Sequence, residues 1–346
     1  MNAPISTLNL HLPEHCSFTA QDWMLLAKYW YPVARLEDIQ AAPVKATLLD
    51  ELLVIYRVED QIVVAKDVCP HRGVPLSLGR HDGEGVVCPY HGLRFGAHGH
   101  CNRIPSSPNQ AIPAKLNLFT YPSEVRYGLV WTCLAPEHEM IPHMPLWDET
   151  DVQQVVCSPV DIHAFAGRQV EGFIDVAHFA WVHTGTFADP NNQLVPDYAT
   201  QETDYGFTAD YWSTVGDYPA SDDFKKEPDF KILRHFEVHV PFTATLSIHL
   251  RNGAKMVIMN AASPVSAKET RLFAPIVKNF DLNDKVEDII EYNLKIFEED
   301  RLMVETQKPE RLPLDLTIEA HIPADRSSIM LRRSLKKAGF GEFFLV

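Results

Sequence analysis

The chain has 346 residues, 46% of them hydrophobic, and 31 Lys+Arg against 46 Asp+Glu, which gives a formal net charge of -15. This length suggests two domains or one large domain, and the composition excludes a disordered, collagen-like or coiled-coil protein. An acidic chain is poorly suited to nucleic acid, whose phosphates need cationic neutralisation. The 6 Cys are irregularly spaced, the start lacks a secretory signal pattern, and no apolar run reaches membrane-spanning length. We therefore expect a cytoplasmic protein with neither a nucleic-acid nor a membrane partner.

The first predicted elements are short strands and tight turns between about residues 48 and 131. Residues 52–56 and 61–65 are rich in β-branched residues and flank a short polar turn, which predicts a β-hairpin. Seven of the 16 glycines lie within residues 73–99, so this stretch should form tightly turning loops.

Those loops carry a candidate metal site made of two short motifs. Cys69-x-His71 and Cys88-x-x-His91 are separated by 16 intervening residues, and a glycine follows each motif within two residues. Glycine lets the backbone approach a sulfur and donate N–H bonds to it. Two Cys and two His also suit tetrahedral zinc, but zinc sites usually pair Cys with Cys and His with His on their knuckles. The mixed pairs instead favour a Rieske [2Fe–2S] centre, in which two His replace two Cys on one iron.

The second half of the chain mixes long strands and helices. Residues 236–250 and 255–261 alternate as strands do, and residues 284–307 form the clearest predicted helix. Asp284 with Glu287 resembles a capping box at its start, and Pro309 marks its end.

A second candidate metal site begins with Asp175, His178 and His183, in the pattern D-x2-H-x4-H. Asp175 and His178 are three residues apart and should share one helix face. His183 lies about 140° away from His178 in a regular helix, so the helix must bulge or end if both imidazoles bind one metal. Two imidazoles and one carboxylate make the facial triad of non-haem Fe(II) oxygenases, which leaves open positions for O2.

The carboxylate is expected on the helix at residues 284–307. Asp300 and Asn293 are polar residues in its otherwise apolar stripe, and a buried carboxylate is unfavourable unless it is paired or binds metal. We predict Asp300 as the third ligand, with a buried ion pair to an Arg as the alternative. Asn293 and Phe297 should face the substrate pocket, where an amide suits a lactam, a purine edge or a carboxamide and a phenyl ring can stack on a flat ring. The alternative is that Phe297 is plain core and that Asn293 bonds a neighbouring helix.

The order of these motifs, followed by F-E-E-D-R at residues 297–301, resembles the catalytic α-subunit of Rieske non-haem iron oxygenases over nearly the whole chain. Residues 175–192 and 296–307 look most similar to the methylxanthine N-demethylases. These belong to a short α-only branch with dicamba O-demethylase and toluenesulfonate methyl-monooxygenase. The resemblance implies an α+β fold: residues 1–26 packed on the catalytic domain, an all-β Rieske [2Fe–2S] domain at 27–138, and a helix-grip catalytic domain with an antiparallel sheet at 139–346.

The resemblance also implies the cofactors and partners. Each chain would hold one [2Fe–2S] cluster, bound by Cys69, His71, Cys88 and His91, and one mononuclear Fe(II), use O2 as cosubstrate, and receive NADH electrons through a separate reductase or ferredoxin. Such enzymes are typically homotrimers, in which His91 of one subunit hydrogen-bonds Asp175 of the next. Asp175 is then an electron-transfer bridge and not a ligand. Residues 71–115 carry a local charge of about +3, where an acidic redox partner could dock, although a plain solvated surface explains the charge equally well.

The implied function is oxidative demethylation or monooxygenation of a small aromatic or N-methylated heterocyclic compound. A ring cis-dihydroxylating dioxygenase and a Rieske electron carrier without oxygen chemistry are the alternatives. One departure from the family is Gly172, where Asn is common beside the iron. The change puts any role for that amide in doubt and should leave more room near the metal.

Overall fold

The computed structural model describes residues 11–40, 42–135, 137, 140–213, 218–225, 227 and 230–346. The chain divides into two compact units. Unit 1 contains described residues of 11–16 and 23–141, and unit 2 contains those of 17–22 and 142–346. In the described part of the chain, no helix is both long enough and apolar enough to cross a membrane. The domain bounds 1–26, 27–138 and 139–346 stay predictions, since residues 1–10, 138 and 139 lie outside the described part.

Unit 1 consists mostly of short antiparallel strands. Helix α1 (Ala20–Leu26) spans the division between the units, and eleven strands follow among the described residues: β1 (Tyr31–Arg35), β2 (Val44–Leu48), β3 (Glu51–Val58), β4 (Gln61–Lys66), β5 (Arg80–His81), β6 (Val86–Val87), β7 (Arg94–Phe95), β8 (Cys101–Arg103), β9 (Thr120–Tyr121), β10 (Ser123–Arg126) and β11 (Leu129–Thr132). They form sheets in the orders β1-β11-β10, β2-β3-β4-β9 and β5-β6-β7-β8. The predicted hairpin is the β3–β4 pair, closed where Val58 faces Gln61.

The core of unit 1 lies between β3, β4 and the small sheet β5–β8. Its buried members include Tyr56, Phe95 and Leu76, and it also contains Cys69 and Cys88. The two Cys–His loops are therefore anchored by their cysteines inside an apolar core.

Unit 2 is built on one large antiparallel sheet. Its elements are β12 (Gln153–Val156), β13 (Val160–Ile162), α2 (Ala166–Ile174), α3 (Phe179–Val182), β14 (Ala199–Thr203), β15 (Gly206–Ser213), β16 (Ile232–His239), β17 (Thr243–His249), β18 (Lys255–Ser266), β19 (Glu269–Phe273), β20 (Pro275–Lys278), α4 (Val286–Val304) and α5 (Arg326–Lys337). Nine described strands join in this sheet, in the order β12-β20-β18-β17-β16-β15-β14 with β13 and β19 attached through β18. The strand pattern predicted over residues 236–250 is confirmed, and it covers the end of β16 and all of β17, which pair antiparallel.

Helices pack on this sheet: α2 contacts β17 and β18, α5 contacts β14 and β15, and α2 also contacts α4 and α5. Unit 2 is thus a sheet covered by helices, which confirms the predicted α+β class. Helix α4 starts at Val286, but the predicted capping box does not form, because its cap residue is Lys285 without a side-chain bond. The Asp284 carboxylate instead pairs with the buried Lys278 ammonium.

A closed ring of buried charges holds α2 in place. Arg168 contacts Glu171 at 2.9 Å and Glu319 at 2.6 Å, and Arg332 contacts the same two carboxylates, Glu171 at 2.7 Å and Glu319 at 2.5 Å. Burial raises the pKa of Glu171 and outweighs its two arginines. Burial also opposes ionisation of Glu319, but hydrogen bonds from both arginines prevail and lower its pKa. The ring fixes the helix whose C-terminal end presents Asp175.

Candidate functional site

The two Cys–His loops of unit 1 are near copies of one another. Cys69 N–H donates to Val74 O at 2.9 Å, and Cys88 N–H donates to Leu93 O at 2.8 Å. The glycine that follows each His has a φ near +70°, at 73° and 71°, which a glycine adopts without strain. This shared geometry presents one cysteine and one histidine from each loop.

The four side chains pair by type. Cys69 and Cys88 are buried with their thiols close enough to interact, while the Nδ1 atoms of His71 and His91 lie 3.1 Å apart at the exposed end. Four ligands of one tetrahedral zinc would lie within about 3.8 Å of one another. Among the described residues, no three of these donors come within 4.8 Å of one another. One pair of sulfurs and one separate pair of nitrogens therefore fit two metal atoms, as in a [2Fe–2S] cluster, better than one zinc ion.

Burial raises the pKa of the Cys69 thiol to about 11, and the neighbouring Cys88 thiol adds to this increase. The backbone N–H groups of His71 and Arg72 donate toward the Cys69 sulfur and act in the opposite direction. Two buried thiols, with backbone N–H groups directed at the sulfur, are suited to become thiolates only when a cation is bound.

In unit 2, the segment from Asp175 to His183 is not one continuous helix. Helix α2 ends at Ile174, His178 directly precedes α3, and His183 directly follows it. The prediction that Asp175 and His178 share a helix face is wrong, because Asp175 already has extended φ and ψ angles. The predicted helix end is confirmed, and it brings both imidazoles to one side.

Three donor atoms converge there. His178 Nε2 lies 3.0 Å from His183 Nε2 and 3.3 Å from Asp300 Oδ1, and His183 Nε2 lies 3.0 Å from the same oxygen. Ligands bound at about 2.1 Å in adjacent octahedral positions lie about 3.0 Å apart. The side chains would therefore fit three neighbouring positions of one octahedral metal. This is the one group of three such donors found in the described part of the chain.

Each imidazole has a carboxylate at its other nitrogen. Asp175 Oδ2 lies 3.4 Å from His178 Nδ1, while its Oδ1 accepts the Ala177 N–H at 2.8 Å. Glu299 Oε2 lies 2.9 Å from His183 Nδ1 and also accepts the Thr186 hydroxyl at 2.8 Å. Such carboxylates fix which imidazole nitrogen faces the metal.

The sequence reasoning missed Glu299. Its position directly before Asp300 could have indicated it, since adjacent helix positions can reach the two sides of one imidazole.

The charges of this site are strongly coupled. Burial disfavours the His178 imidazolium, but hydrogen bonds to Asp175 and Asp300 prevail and raise the pKa of His178 to about 9. Burial likewise disfavours the Asp300 carboxylate, yet hydrogen bonds from His178 and His183 prevail and lower its pKa. The carboxylate therefore stays ionised in a buried place, which favours a bound cation.

A small cavity of about 30 Å³ lies beside these donors, and we call it the inner cavity. Asn293 and Phe297 line it, as predicted for substrate-facing residues, together with Phe173, Phe187, Leu246 and Ile258. Asn293 Nδ2 donates to the backbone carbonyl of Ile289 at 2.8 Å, so its Oδ1 faces elsewhere. That oxygen is buried without a hydrogen-bond partner among the described residues. The amide therefore offers a ligand an acceptor.

The space beside Gly172 is partly taken on one side. A Cβ atom on Gly172 would meet Val304 Cγ2 at 3.1 Å. A side chain at this position would therefore require Val304 to shift.

An all-β unit with paired Cys–His loops, joined to a helix-covered antiparallel sheet with a His-His-Asp group, defines a Rieske-type oxygenase. Residues 29–122 match the Rieske [2Fe-2S] domain, and residues 162–339 match the vanillate O-demethylase oxygenase C-terminal domain. The chain belongs to this family of Rieske oxygenases.

Its relatives include demethylases of known substrate. The chain is 30% identical to methylxanthine N1-demethylase NdmA of Pseudomonas putida over 90% of this chain and 89% of that protein, and 30% identical to methylxanthine N3-demethylase NdmB with the same coverage. The solved structure of Pseudomonas putida NdmA with caffeine matches 91% of this chain and 92% of that chain, with a TM-score of 0.78 and 29% identity.

These matches confirm the predicted family, fold class and enzymatic function. The chain is the terminal oxygenase component of a Rieske oxygenase system, an oxidoreductase with a [2Fe–2S] domain. The oxygenase domain over residues 162–339 argues against an electron carrier without oxygen chemistry.

Proposed function

We propose that the chain is an O2-dependent demethylase that acts on a small N-methylated heterocycle. The observation that carries this proposal is the His178–His183–Asp300 group, whose donor atoms lie 3.0 to 3.3 Å apart beside a cavity lined by phenyl rings. When bound there, a mononuclear Fe(II) would supply the activation of O2 for attack on a C–H bond.

In this proposal Cys69, His71, Cys88 and His91 hold one [2Fe–2S] cluster. NADH would reduce it through a separate reductase or ferredoxin, since the sequence lacks a G-x-G-x-x-G nucleotide signature.

The electron path to the second metal uses Asp175 as a bridge between subunits of a homotrimer. His91 is exposed, and among the described residues no carboxylate contacts its imidazole. Asp175 keeps 31% of its side chain exposed although one of its oxygens faces His178. An exposed imidazole and an exposed carboxylate suit a hydrogen bond between copies. That bond would connect the cluster ligand to the metal ligand.

The substrate would lie between phenyl rings with its methyl group toward the donor group. Phe297 would stack on the ring, and Asn293 Oδ1 would accept a hydrogen bond from a ring N–H. In the balanced reaction, the N–CH3 compound, O2, two electrons and two protons give the N–H compound, formaldehyde and water. The similarity to two methylxanthine demethylases supports an N-methyl over an O-methyl substrate.

The reductase would approach the exposed end of the cluster loops. Arg72, Arg80 and Lys115 are exposed there without an ion pair among the described residues, whereas Arg94 pairs with Asp82 and Glu84. Free cations around the exposed imidazoles suit an acidic electron donor.

A combined metal and product assay tests the function. We expect about three irons per chain by metal analysis, a visible cluster spectrum, and NADH-dependent formaldehyde release with a surrogate reductase. The screen covers methylxanthines, other N-methyl heterocycles and aromatic methyl ethers. A colourless zinc protein would refute the cluster, two irons per chain would refute the mononuclear site, and a cis-diol product without formaldehyde would identify a dioxygenase.

A further inference from the structure

A second cavity, which we call the outer cavity, adjoins the inner one. Its volume is about 240 Å³, and Tyr218 and Asn293 line both cavities. The outer walls include Met256, Lys278 and Ile289.

The strand register explains why the cavities follow one another. Met256 pairs with Lys278 and Ile258 pairs with Ile276, and alternate residues of a strand share a face. Ile258 lines the inner cavity, so Met256 and Lys278 lie on the same helix-covered face, one step further along the sheet. The two cavities are therefore successive parts of one trough between the sheet and α4.

The inner cavity alone is too small for a ring. Its volume is about 30 Å³, an order of magnitude below that of ligand pockets. With the 240 Å³ of the outer cavity, the trough approaches the roughly 300 Å³ at which ligand pockets begin. A substrate whose methyl group enters the inner cavity must therefore place most of its body in the outer one.

Lys278 gives the outer cavity a specific chemistry. The residue is only 4% exposed, and its Nζ donates to Asp281 O at 3.0 Å and to the Asp284 carboxylate, above the Phe280 ring at 5.0 Å. An ammonium has three N–H donors, and the described residues supply acceptors for two. The third donor is available to a ligand in the cavity that Lys278 lines.

The charges around this ammonium select a neutral ligand. Lys278 and Lys285 are balanced by Asp284 and Asp288 on the walls of the same cavity. A carboxylate or sulfonate would lie next to Asp284 without a surplus of positive charge, whereas a neutral carbonyl accepts the N–H without repulsion.

We propose that the outer cavity is a substrate subsite that binds a neutral carbonyl group at the end of the ring system opposite the methyl group, with Lys278 as the donor. This inference rests on the proposed demethylase function. It selects fused lactam-type heterocycles over methylated benzoates and sulfonates.

The test compares 7-methylxanthine with 7-methylpurine, which share the ring system and the methyl group but differ in the carbonyls and N–H groups of the far ring. Binding to the metal-loaded full chain is measured by calorimetry, and formaldehyde release is measured in parallel. We expect the wild type to bind the xanthine at least about tenfold more tightly, as one hydrogen bond to a charged group provides. Lys278→Met should reduce this preference several-fold but not abolish it, because the Asn293 bond to a ring N–H remains, and Lys278→Arg should restore part of the loss.

Two further variants keep the result interpretable. Lys268→Met removes a lysine that likewise pairs with a carboxylate, Glu310 at 3.0 Å, and lies over a ring, Phe344 at 5.9 Å, outside this trough. It should leave the preference unchanged. Ile289→Phe narrows the outer cavity without touching Lys278 and should weaken binding of both compounds.

Equal binding of both compounds by the wild type, or a full preference in Lys278→Met, would overturn the subsite. Unchanged binding in Ile289→Phe would do the same. Formaldehyde release with either of these outcomes leaves the demethylase function standing. An absence of formaldehyde from every N-methylated heterocycle would instead overturn the proposed function, and the subsite with it.

Discussion

The two candidate metal centres are built in opposite ways. The cluster loops bury their sulfurs and expose both imidazoles, and the described residues give those imidazoles no carboxylate partner. The His178–His183–Asp300 group is largely buried, and each of its imidazoles is oriented by a carboxylate, Asp175 or Glu299.

The difference indicates a division of tasks. Exposed imidazoles with free outer nitrogens suit a centre that passes electrons to another molecule. Buried imidazoles with fixed outer nitrogens suit a centre whose geometry must not vary while it reacts.

The contrast first requires that the two centres be independent. Asp300→Ala should abolish turnover and lower the iron content from about three to about two per chain, because it removes the one carboxylate among the three donors. The visible spectrum of the cluster should not change. Metal analysis and absorbance of the same sample check this, and full iron retention would remove Asp300 from the ligand set.

The second prediction concerns Asp175, the proposed bridge between the two kinds of centre. Asp175→Asn should retain both metals but lower turnover about 100-fold or more, because the proposed carboxylate bridge between His91 of one subunit and His178 of the next is lost. Single-turnover measurement with a pre-reduced cluster gives the electron-transfer rate directly.

The matched control for that variant is Asp210→Asn. Asp210 also contacts an imidazole nitrogen, that of His235 at 2.6 Å, but lies on β15 outside the inner cavity. It should leave turnover unchanged. If Asp175→Asn turned over at the wild-type rate, the bridge would be refuted.

A substitution of Glu299 tests whether a carboxylate at the outer nitrogen orients the buried imidazole of His183. Glu299→Gln should weaken mononuclear metal binding about 10- to 100-fold, the usual effect of losing such a partner. The absorption spectrum of the Co(II)-substituted protein should also change, since that spectrum reports ligand geometry. Glu298→Gln is the control, because Glu298 is exposed and pairs with Arg301 on the other side of α4. Equal metal affinity in both variants would leave Glu299 without an orienting role.

The charge ring beneath α2 predicts a difference in stability between the units. Glu319→Gln leaves the buried Arg168 and Arg332 with one carboxylate between them and should destabilise unit 2 by about 3 kcal/mol. Glu319, whose pKa is lowered in the folded chain, stabilises the fold above the ordinary Glu pKa, and this contribution is lost as the pH falls through the lowered value. Calorimetry that follows the cluster absorbance separately should show unit 2 unfolding first at low pH. Simultaneous loss of both signals would contradict this order.

The smallest effect is expected at the exposed centre. Arg72→Glu should raise the reductase concentration needed for half-maximal turnover a few-fold at low salt, with little change at high salt, because surface steering is screened. Lys225→Glu, an exposed cation of unit 2, serves as the comparison. Turnover that is insensitive to salt in the wild type would count against docking at the cluster loops.

The geometry of the first centre could be predicted from the sequence more fully than that of the second, for a physical reason. The cluster ligands lie within 23 residues, and each loop is determined by local turn chemistry, so their spacing alone indicated the geometry. The second centre joins residues more than 100 positions apart. Only the buried polar position of Asp300 on a helix predicted that contact. Glu299 precedes Asp300 on α4 and is only part-buried. No periodic pattern in the sequence therefore identifies it as a partner of His183.

The remaining errors came from local propensity that tertiary contacts override. The capping box at Asp284 is absent because Lys278, brought near by the sheet, is the stronger partner for that carboxylate. The shared helix face of Asp175 and His178 failed because α2 stops at Ile174. Neither the Lys278–Asp284 pair nor the end of α2 at Ile174 can be predicted from a window of neighbouring residues.

The course of helix α4 has a consequence for the affinities for substrate and metal. One continuous helix lines the outer cavity at Ile289, carries Asn293 at the junction and presents Glu299 and Asp300 to the two imidazoles. In the proposed enzyme, substrate and metal would bind to the same rigid body, and each would change the affinity for the other. By reciprocity, the factor by which metal loading changes the Kd of a substrate must equal the factor by which that substrate changes the Kd of the metal. Both factors are measurable without turnover.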